Sequence, residues 1–179
     1  MSELLRQLLS WDAQALEASH ALRWSPVTPL FVLVSAWWVK WPLFLAVGGC
    51  TDAARRAFRP WTAMAAGTSV LLAASLVTLL NDLGDRARPP VAHGDIEALV
   101  SVPASASFPS GHAATAFAGA TAIALLAPRL RVPVFALAAL VALSRIYLGV
   151  HYVLDVIAGS ALGIAVGFAV VALVRRVRA

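Results

Sequence analysis

Four stretches of this sequence, Trp61–Leu80, Ser110–Ala127, Val132–Val150 and Tyr152–Val174, are long and apolar enough to cross a bilayer. A crossing helix needs about 20 mostly apolar residues. A fifth stretch, Thr28–Gly49, has the length but contains Lys40 and Pro42. Inside lipid the backbone must satisfy its own hydrogen bonds, which favours helices for segments of this kind. The whole chain is 60% apolar and 13% charged, against roughly 25% charged in a soluble domain. That balance excludes a water-soluble globule and a disordered chain. A lone Cys50 excludes an internal disulfide and a cysteine metal cage. The expected fold is an all-α integral membrane protein, a bundle of about five transmembrane helices.

The connections orient the bundle. Asp52–Pro60 carries Arg55, Arg56 and Arg59; Pro128–Arg131 carries Arg129 and Arg131; the tail carries Arg175, Arg176 and Arg178. Five crossings place these segments on one side, with eight of the thirteen arginines and one acid, Asp52. By the positive-inside rule that side is cytoplasmic. A multi-pass protein of the cytoplasmic membrane follows, its C-terminus inside and the Asp82–Phe108 loop outside. The net charge of +5 is thereby assigned to topology, and no nucleic-acid partner is inferred.

Residues 1–26 form a separate unit from the transmembrane domain, 27–179. Leu4, Leu8, Trp11, Ala15 and Leu22 recur at helical spacing, with Leu5, Leu9 and Leu16 beside them and Glu3, Arg6, Ser10, Gln14 and Glu17 opposite. This is an amphipathic helix, lying in the outer interface or packed on the bundle. Acids interrupt any signal-peptide core. The small residues of Ala113–Ala124 and Gly159–Gly167 allow close helix approach.

Ionisable residues in a membrane bundle are expensive, so each is a functional candidate. Three clusters fall at the outer ends of the spans. They are Asn81-Asp82-Leu83-Gly84-Asp85-Arg86-Ala87-Arg88-Pro89-Pro90, then Phe108-Pro109-Ser110-Gly111-His112, then Ser144-Arg145 with His151 and Asp155. His151 and Asp155, at i and i+4, share a helix face. A carboxylate behind an imidazole fixes its tautomer and leaves the other nitrogen free as nucleophile or base. Pro109-Ser110-Gly111-His112 reads as a helix start, whose free amides suit phosphate. His112 there can act as a general acid. Arg88 and Arg145 carry planar forks that match phosphate oxygens. A zinc site of His112, His151 and Asp155 is disfavoured: HExxH spacing is missing, and two guanidiniums would repel a cation. The set points to a phosphoryl group, held by positioning and charge.

Arg88-Pro89, Pro109-Ser110-Gly111-His112 and Ser144-Arg145-x5-His151-x3-Asp155 resemble the three motifs of the type 2 phosphatidic acid phosphatase superfamily. That superfamily includes undecaprenyl pyrophosphate phosphatases and is related to vanadium haloperoxidases. The resemblance runs from Trp61 to about Val174 and leaves the N-terminal sixty residues out. It implies that His151 becomes a phosphohistidine, that Asp155 orients it, and that His112 protonates the leaving oxygen. It implies phosphate binding by Arg88, Arg145 and the Ser110–Gly111 region, with no metal and no cofactor. Arg86 matches the second arginine of members ending in Arg-x-Arg-Pro. One departure stands out: the family's first motif opens with lysine, and this chain has Asn81 there, seven residues before Arg88. Asn81 can donate hydrogen bonds to phosphate but brings no charge.

The resemblance implies a lipid phosphatase that cleaves a phosphomonoester or pyrophosphate at the outer membrane face. Polyprenyl pyrophosphates, phosphatidic acid, phosphatidylglycerophosphate and polyprenyl-phosphate sugar phosphates all qualify as substrates. Membrane lipids are the surroundings, and no obligate protein partner is inferred. The alternative is a non-catalytic membrane protein that binds anionic lipid or phosphate. His112, His151 and Asp155 weigh against it, since a binder needs the arginines but neither an acid nor a nucleophile.

Overall fold

The computed structural model describes residues 3–55 and 60–178, without the side chains of residues 5, 37–41 and 178. Lys40 is among those side chains, and Arg56 and Arg59 lie outside the described residues. The helices are α1 (Glu3–Ala21), α2 (Thr28–Ser35), α3 (Trp37–Ala54), α4 (Trp61–Leu83), the short α5 (Pro89–Ala92), α6 (Gly111–Leu126), α7 (Arg131–Tyr147) and α8 (Val153–Arg178). The described residues contain no strand, as expected of an all-helical membrane protein.

Three described helical segments are long and apolar enough to cross a membrane: Trp61–Leu83, Pro128–Tyr147 and Val153–Val177. α6, with 16 residues, spans about 24 Å at 1.5 Å per residue. It lies at the centre, with Ala113, Ala114, Ala116, Ala118, Ala120 and Ala122 all fully buried. The fifth stretch, Thr28–Gly49, is not one continuous helix. Ala36 takes extended backbone (φ −65°, ψ 133°) and separates α2 from α3. The Ala36 amide closes α2 with a short bond to the Leu33 carbonyl. Pro42 does not break the helix; it lies inside α3.

Between apolar helices in lipid the hydrophobic effect contributes little, so close van der Waals contact decides packing. Gly159, Gly163 and Gly167 recur every fourth residue on α8 and form a flat ridge against α6. A methyl at Gly159 would press on the Ser110 carbonyl, and one at Gly163 on the Ala114 carbonyl. The ridge fixes the register of α8 against the start of α6, and the Ser110 amide donates to the Asp155 carbonyl at 3.0 Å. Gly159→Ala would therefore shift the first turn of α6. At the opposite end, the buried Asp52 of α3 caps α4 from outside: its Oδ2 accepts the Thr62 and Ala63 amides at 2.9 and 3.0 Å. Free amides at a helix start need such partners.

The α1 helix presents two faces. Asp12 and Leu16 are buried against the bundle, whereas Leu4, Trp11 and Leu22 of the apolar stripe are exposed. α1 thus packs on the bundle through Asp12 and Leu16, at the side of that stripe.

Candidate active site

Both ends of the bundle are set by chain direction. α4 finishes, α6 begins, α7 finishes and α8 begins at the same end, so all three polar clusters meet there. Arg88 precedes Pro89, and a residue before proline avoids helical backbone. It is accordingly extended (φ −72°, ψ 155°), with Pro89 opening α5. Ser110 holds the N-cap position of α6 in extended backbone, without a side-chain cap bond, after a cis Phe108–Pro109 peptide. Beyond α7, Gly149 takes φ +75°. That conformation suits glycine, and it turns the chain so that Arg145 and His151 face one pocket.

The pocket has a volume of about 220 Å³ and is lined by Asn81, Arg88, Gly111, His112, Arg145 and His151, with Ala74 and Val77 on its apolar wall. Arg88 is held tightly. Its Nε donates to the Ser105 carbonyl (3.0 Å), and its Nη groups donate to the Val150 and Ala106 carbonyls (both 3.1 Å) and to Ser105 Oγ (3.2 Å). Arg88 Nη1 also lies 3.0 Å from His151 Nε2. Guanidinium only donates, so Nε2 presents its lone pair and the proton of a neutral ring sits on Nδ1. Nδ1 faces Asp155 Oδ2 at 3.5 Å and Ser107 Oγ at 3.4 Å.

Asp155 is fully buried and saturated with donors. Its Oδ2 accepts Ser107 Oγ at 2.5 Å and the Tyr152 amide at 3.0 Å; its Oδ1 accepts Arg86 Nη1 at 2.5 Å. Burial lowers the His151 pKa from 6.5 to about 4. Asp155 opposes that shift, while Arg88 and Arg145 reinforce it. His151 is therefore a neutral imidazole at neutral pH, with its lone pair at the pocket.

Three buried polar atoms of this end have no partner: Asn81 Oδ1, Ser110 Oγ and Arg145 Nε. Unpaired buried polar atoms are costly and call for a ligand or water. Arg145 and Asn81 line the pocket itself. Among the described residues no three His, Cys, Asp or Glu side chains converge as a metal cage.

Most sequence candidates are thus brought together. Asn81, Arg88, Gly111, His112, Arg145 and His151 line the pocket, and Asp155 stands behind His151. Arg86, expected among the phosphate ligands, does not line the pocket. It lies behind Asp155, between that carboxylate and Asp12, because two carboxylates 2.5 Å from its Nη atoms outcompete an outward position. Sequence reasoning missed Ser107, Ser105 and Asp12. Ser107 directly precedes the Phe108-Pro109-Ser110-Gly111-His112 run, the only local signal it offered.

Residues 62–179 match the family model of the PAP2 superfamily. The decaprenylphosphoryl-5-phosphoribose phosphatase of Mycolicibacterium smegmatis is 38% identical over 123 residues, which cover 66% of this chain and 62% of that protein. The lipid A 1-phosphatase of Rhizobium etli is 42% identical over 101 residues, 54% of this chain and 43% of that protein. The chain thus spans less than two thirds of the length of these relatives. The crystal structure of a transmembrane PAP2-type phosphatidylglycerolphosphate phosphatase from Bacillus subtilis superposes with a TM-score of 0.76 at 26% identity. That superposition covers 95% of this chain and 87% of the other.

Proposed function

This chain belongs to the PAP2 superfamily, and we propose that it hydrolyses a lipid phosphomonoester or pyrophosphate through a phosphohistidine, at the outer face of the cytoplasmic membrane. The relatives are phosphatases of lipid phosphates, and the apolar helices make it a membrane protein. One observation carries the reading: the His151 Nε2 lone pair faces Arg88 at 3.0 Å, in a buried pocket where Arg145 Nε is unpaired. A phosphate-binding protein has no use for a neutral imidazole whose Nε2 lies beside the guanidinium that would hold the anion.

In the proposed reaction His151 Nε2 attacks phosphorus as the bond to the leaving oxygen breaks. His112 gives that oxygen its proton. Asp155 receives the Nδ1 hydrogen bond and stabilises the imidazolium that forms. Arg88, Arg145 and the amides at the start of α6 hold the non-bridging oxygens. Water then attacks the phosphohistidine, losing its proton to His112 and releasing phosphate. One difficult displacement becomes two easier ones. Positioned charge does the stabilising, so we expect no need for a divalent metal.

A cavity of about 220 Å³ takes a phosphate and its nearest ester atoms. The lipid tail stays in the bilayer. The relatives favour polyprenyl-phosphate sugar phosphates and phosphorylated glycolipids as the first substrates to examine. We further propose that residues 1–26 sit at the interface, with the exposed stripe of Leu4, Trp11 and Leu22 in lipid. The test is phosphate release from a panel of lipid phosphates by purified protein in detergent containing excess chelator, with acid quench to trap phosphoenzyme. Release with a trapped, acid-labile phosphoenzyme is expected. Binding of lipid phosphate without release would establish the binder instead.

A further inference from the structure

We propose that Asp12 of α1 is a positioning residue of the site: it holds Arg86 across Asp155 and so fixes the carboxylate behind His151. The inference rests on the phosphatase reading above. Asp12 lies outside residues 62–179, the segment matched by the family model. Its side chain is nonetheless almost completely buried, at 1% exposure, on a helix whose exposed stripe is apolar.

Each oxygen of Asp12 has a task. Oδ2 lies 2.5 Å from Arg86 Nη2, and Oδ1 accepts the Leu154 amide at 2.9 Å. That amide belongs to the first turn of α8, one residue before Asp155. Asp12 therefore grips both supports of the Asp155 carboxylate: the backbone that carries it and the guanidinium that binds its Oδ1. Arg86 is also stacked on the Tyr152 ring, 4.2 Å from its centroid, and the Tyr152 amide binds Asp155 Oδ2. The result is a row of alternating charge, Asp12–Arg86–Asp155, ending on His151.

The alternation matters as well as the geometry. With Asp12 in place, Arg86 is shared between two carboxylates, and Asp155 keeps most of its field on the imidazole. Without Asp12, Arg86 would neutralise Asp155 alone. His151 would lose basicity and its cation would lose support. The other charged or titratable groups facing His151 are Arg88 from before α5, His112 from α6 and Arg145 from α7. Neither arginine touches Asp12 in the described contacts, so a change at position 12 reaches His151 through Arg86 and Asp155.

The test uses the full chain in detergent. Asp12→Asn keeps an acceptor for the Leu154 amide and removes the charge. It should lower kcat at least tenfold, with KM and vanadate affinity within threefold, because the phosphate pocket is untouched. In an Arg86→Gln background the same change should cost less than threefold, since the link is already cut. Equal losses in both backgrounds, or an Asp12→Asn rate within twofold of the parent, would overturn the proposal. Should Asp12→Asn fail to fold, Asp12→Gln, which also removes the charge and still offers an acceptor, carries the same comparison. A readout independent of turnover is ¹⁵N NMR of histidine-labelled protein. The His151 ring should titrate at lower pH in Asp12→Asn than in the parent, and an unchanged titration counts against the link. Parent protein that releases no phosphate would sink the phosphatase reading alone, and the NMR arm would still decide whether Asp12 acts on His151.

Discussion

At one end of the bundle Arg55 and Arg175 are exposed, and each donates to a carbonyl at the end of α6: Arg55 to Leu126 at 2.7 Å, Arg175 to Leu125 at 3.1 Å. At the other end Arg88 and Arg145 are buried to 5% and 4% exposure, and Arg145 Nε has no partner. The first pair closes a helix terminus and leaves its charge in solvent. The second pair has its charge taken out of solvent, which is costly for any charge left without a partner. Cavity size does not separate the two ends. The larger cavity, about 960 Å³, is at the basic end, lined by Ala46, Val47, Cys50 and Arg55 among others. A buried, unpaired guanidinium donor beside a neutral imidazole marks the smaller cavity as the site.

The largest effect should come from the imidazole. His151→Ala should lower turnover by at least about 10³-fold, in the range seen when a nucleophile is removed. Lipid phosphate binding should survive, because the arginines remain. Turnover near the parent rate would end the covalent mechanism. His112→Ala should cost about 10²–10⁴-fold, the usual contribution of a general acid.

The pH profile sharpens the same contrast. Burial holds the His151 pKa near 4, and protonation removes the Nε2 lone pair. The acid limb of kcat/KM should therefore stay flat through pH 6.5 and fall only towards about 4. An acid limb near 6.5 would place a different group in control. The same shift acts on stability. A histidine with a depressed folded pKa is protonated more readily when unfolded, so its contribution weakens as pH falls from about 6.5 towards 4. Thermal midpoints must accompany the profile across that window.

Next in size is Arg145→Ala, which removes a charged donor from the pocket. Hydrogen bonds to charged groups contribute about 1.5–3 kcal/mol, so kcat/KM should fall about 10- to 100-fold. A loss confined to thermal stability would recast Arg145 as a packing residue.

The sequence carried much of this arrangement because its signals are local or periodic. Span lengths gave α4, α7 and α8, and the motif spacing gave the His151–Asp155 pair and the start of α6. Three things were not legible. The break at Ala36 falls at neither glycine nor proline, and Pro42, the visible breaker, sits inside α3. Asp12 counted only among the acids that interrupt a signal-peptide core, because its partner Arg86 is 74 residues away. Arg86 read as a phosphate ligand for the same reason: adjacency to Arg88 says nothing about which side of Asp155 it reaches.

Asn81 tests how far the pocket depends on charge. Its Oδ1 is buried without a partner, and it stands where the resembled family carries lysine. Asn81→Ala should cost little, since a neutral hydrogen bond contributes about 0.5–1.5 kcal/mol. Asn81→Lys should be neutral or activating if the pocket takes a phosphate dianion. Inhibition by lysine, with Asn81→Ala near the parent, would mean that position 81 faces an uncharged part of the substrate.

The smallest effect belongs to the basic end, and it is the control for the whole contrast. Arg175→Gln removes a charge from an exposed side chain whose described contact is the Leu125 carbonyl. Exposed charges of this kind contribute at most about 1 kcal/mol to stability, and glutamine can still donate to the same carbonyl. kcat and KM should both stay within twofold of the parent. Arg55→Gln, against Leu126, should behave alike. Measured beside Arg145→Ala in one phosphate-release assay, the two ends should differ by at least about fivefold. If Arg175→Gln and Arg145→Ala lost activity equally, burial and spare donors would not be what distinguishes a site arginine in this bundle. The α6 C-terminus would then have to be coupled to its N-terminus through the helix that Arg55 and Arg175 close.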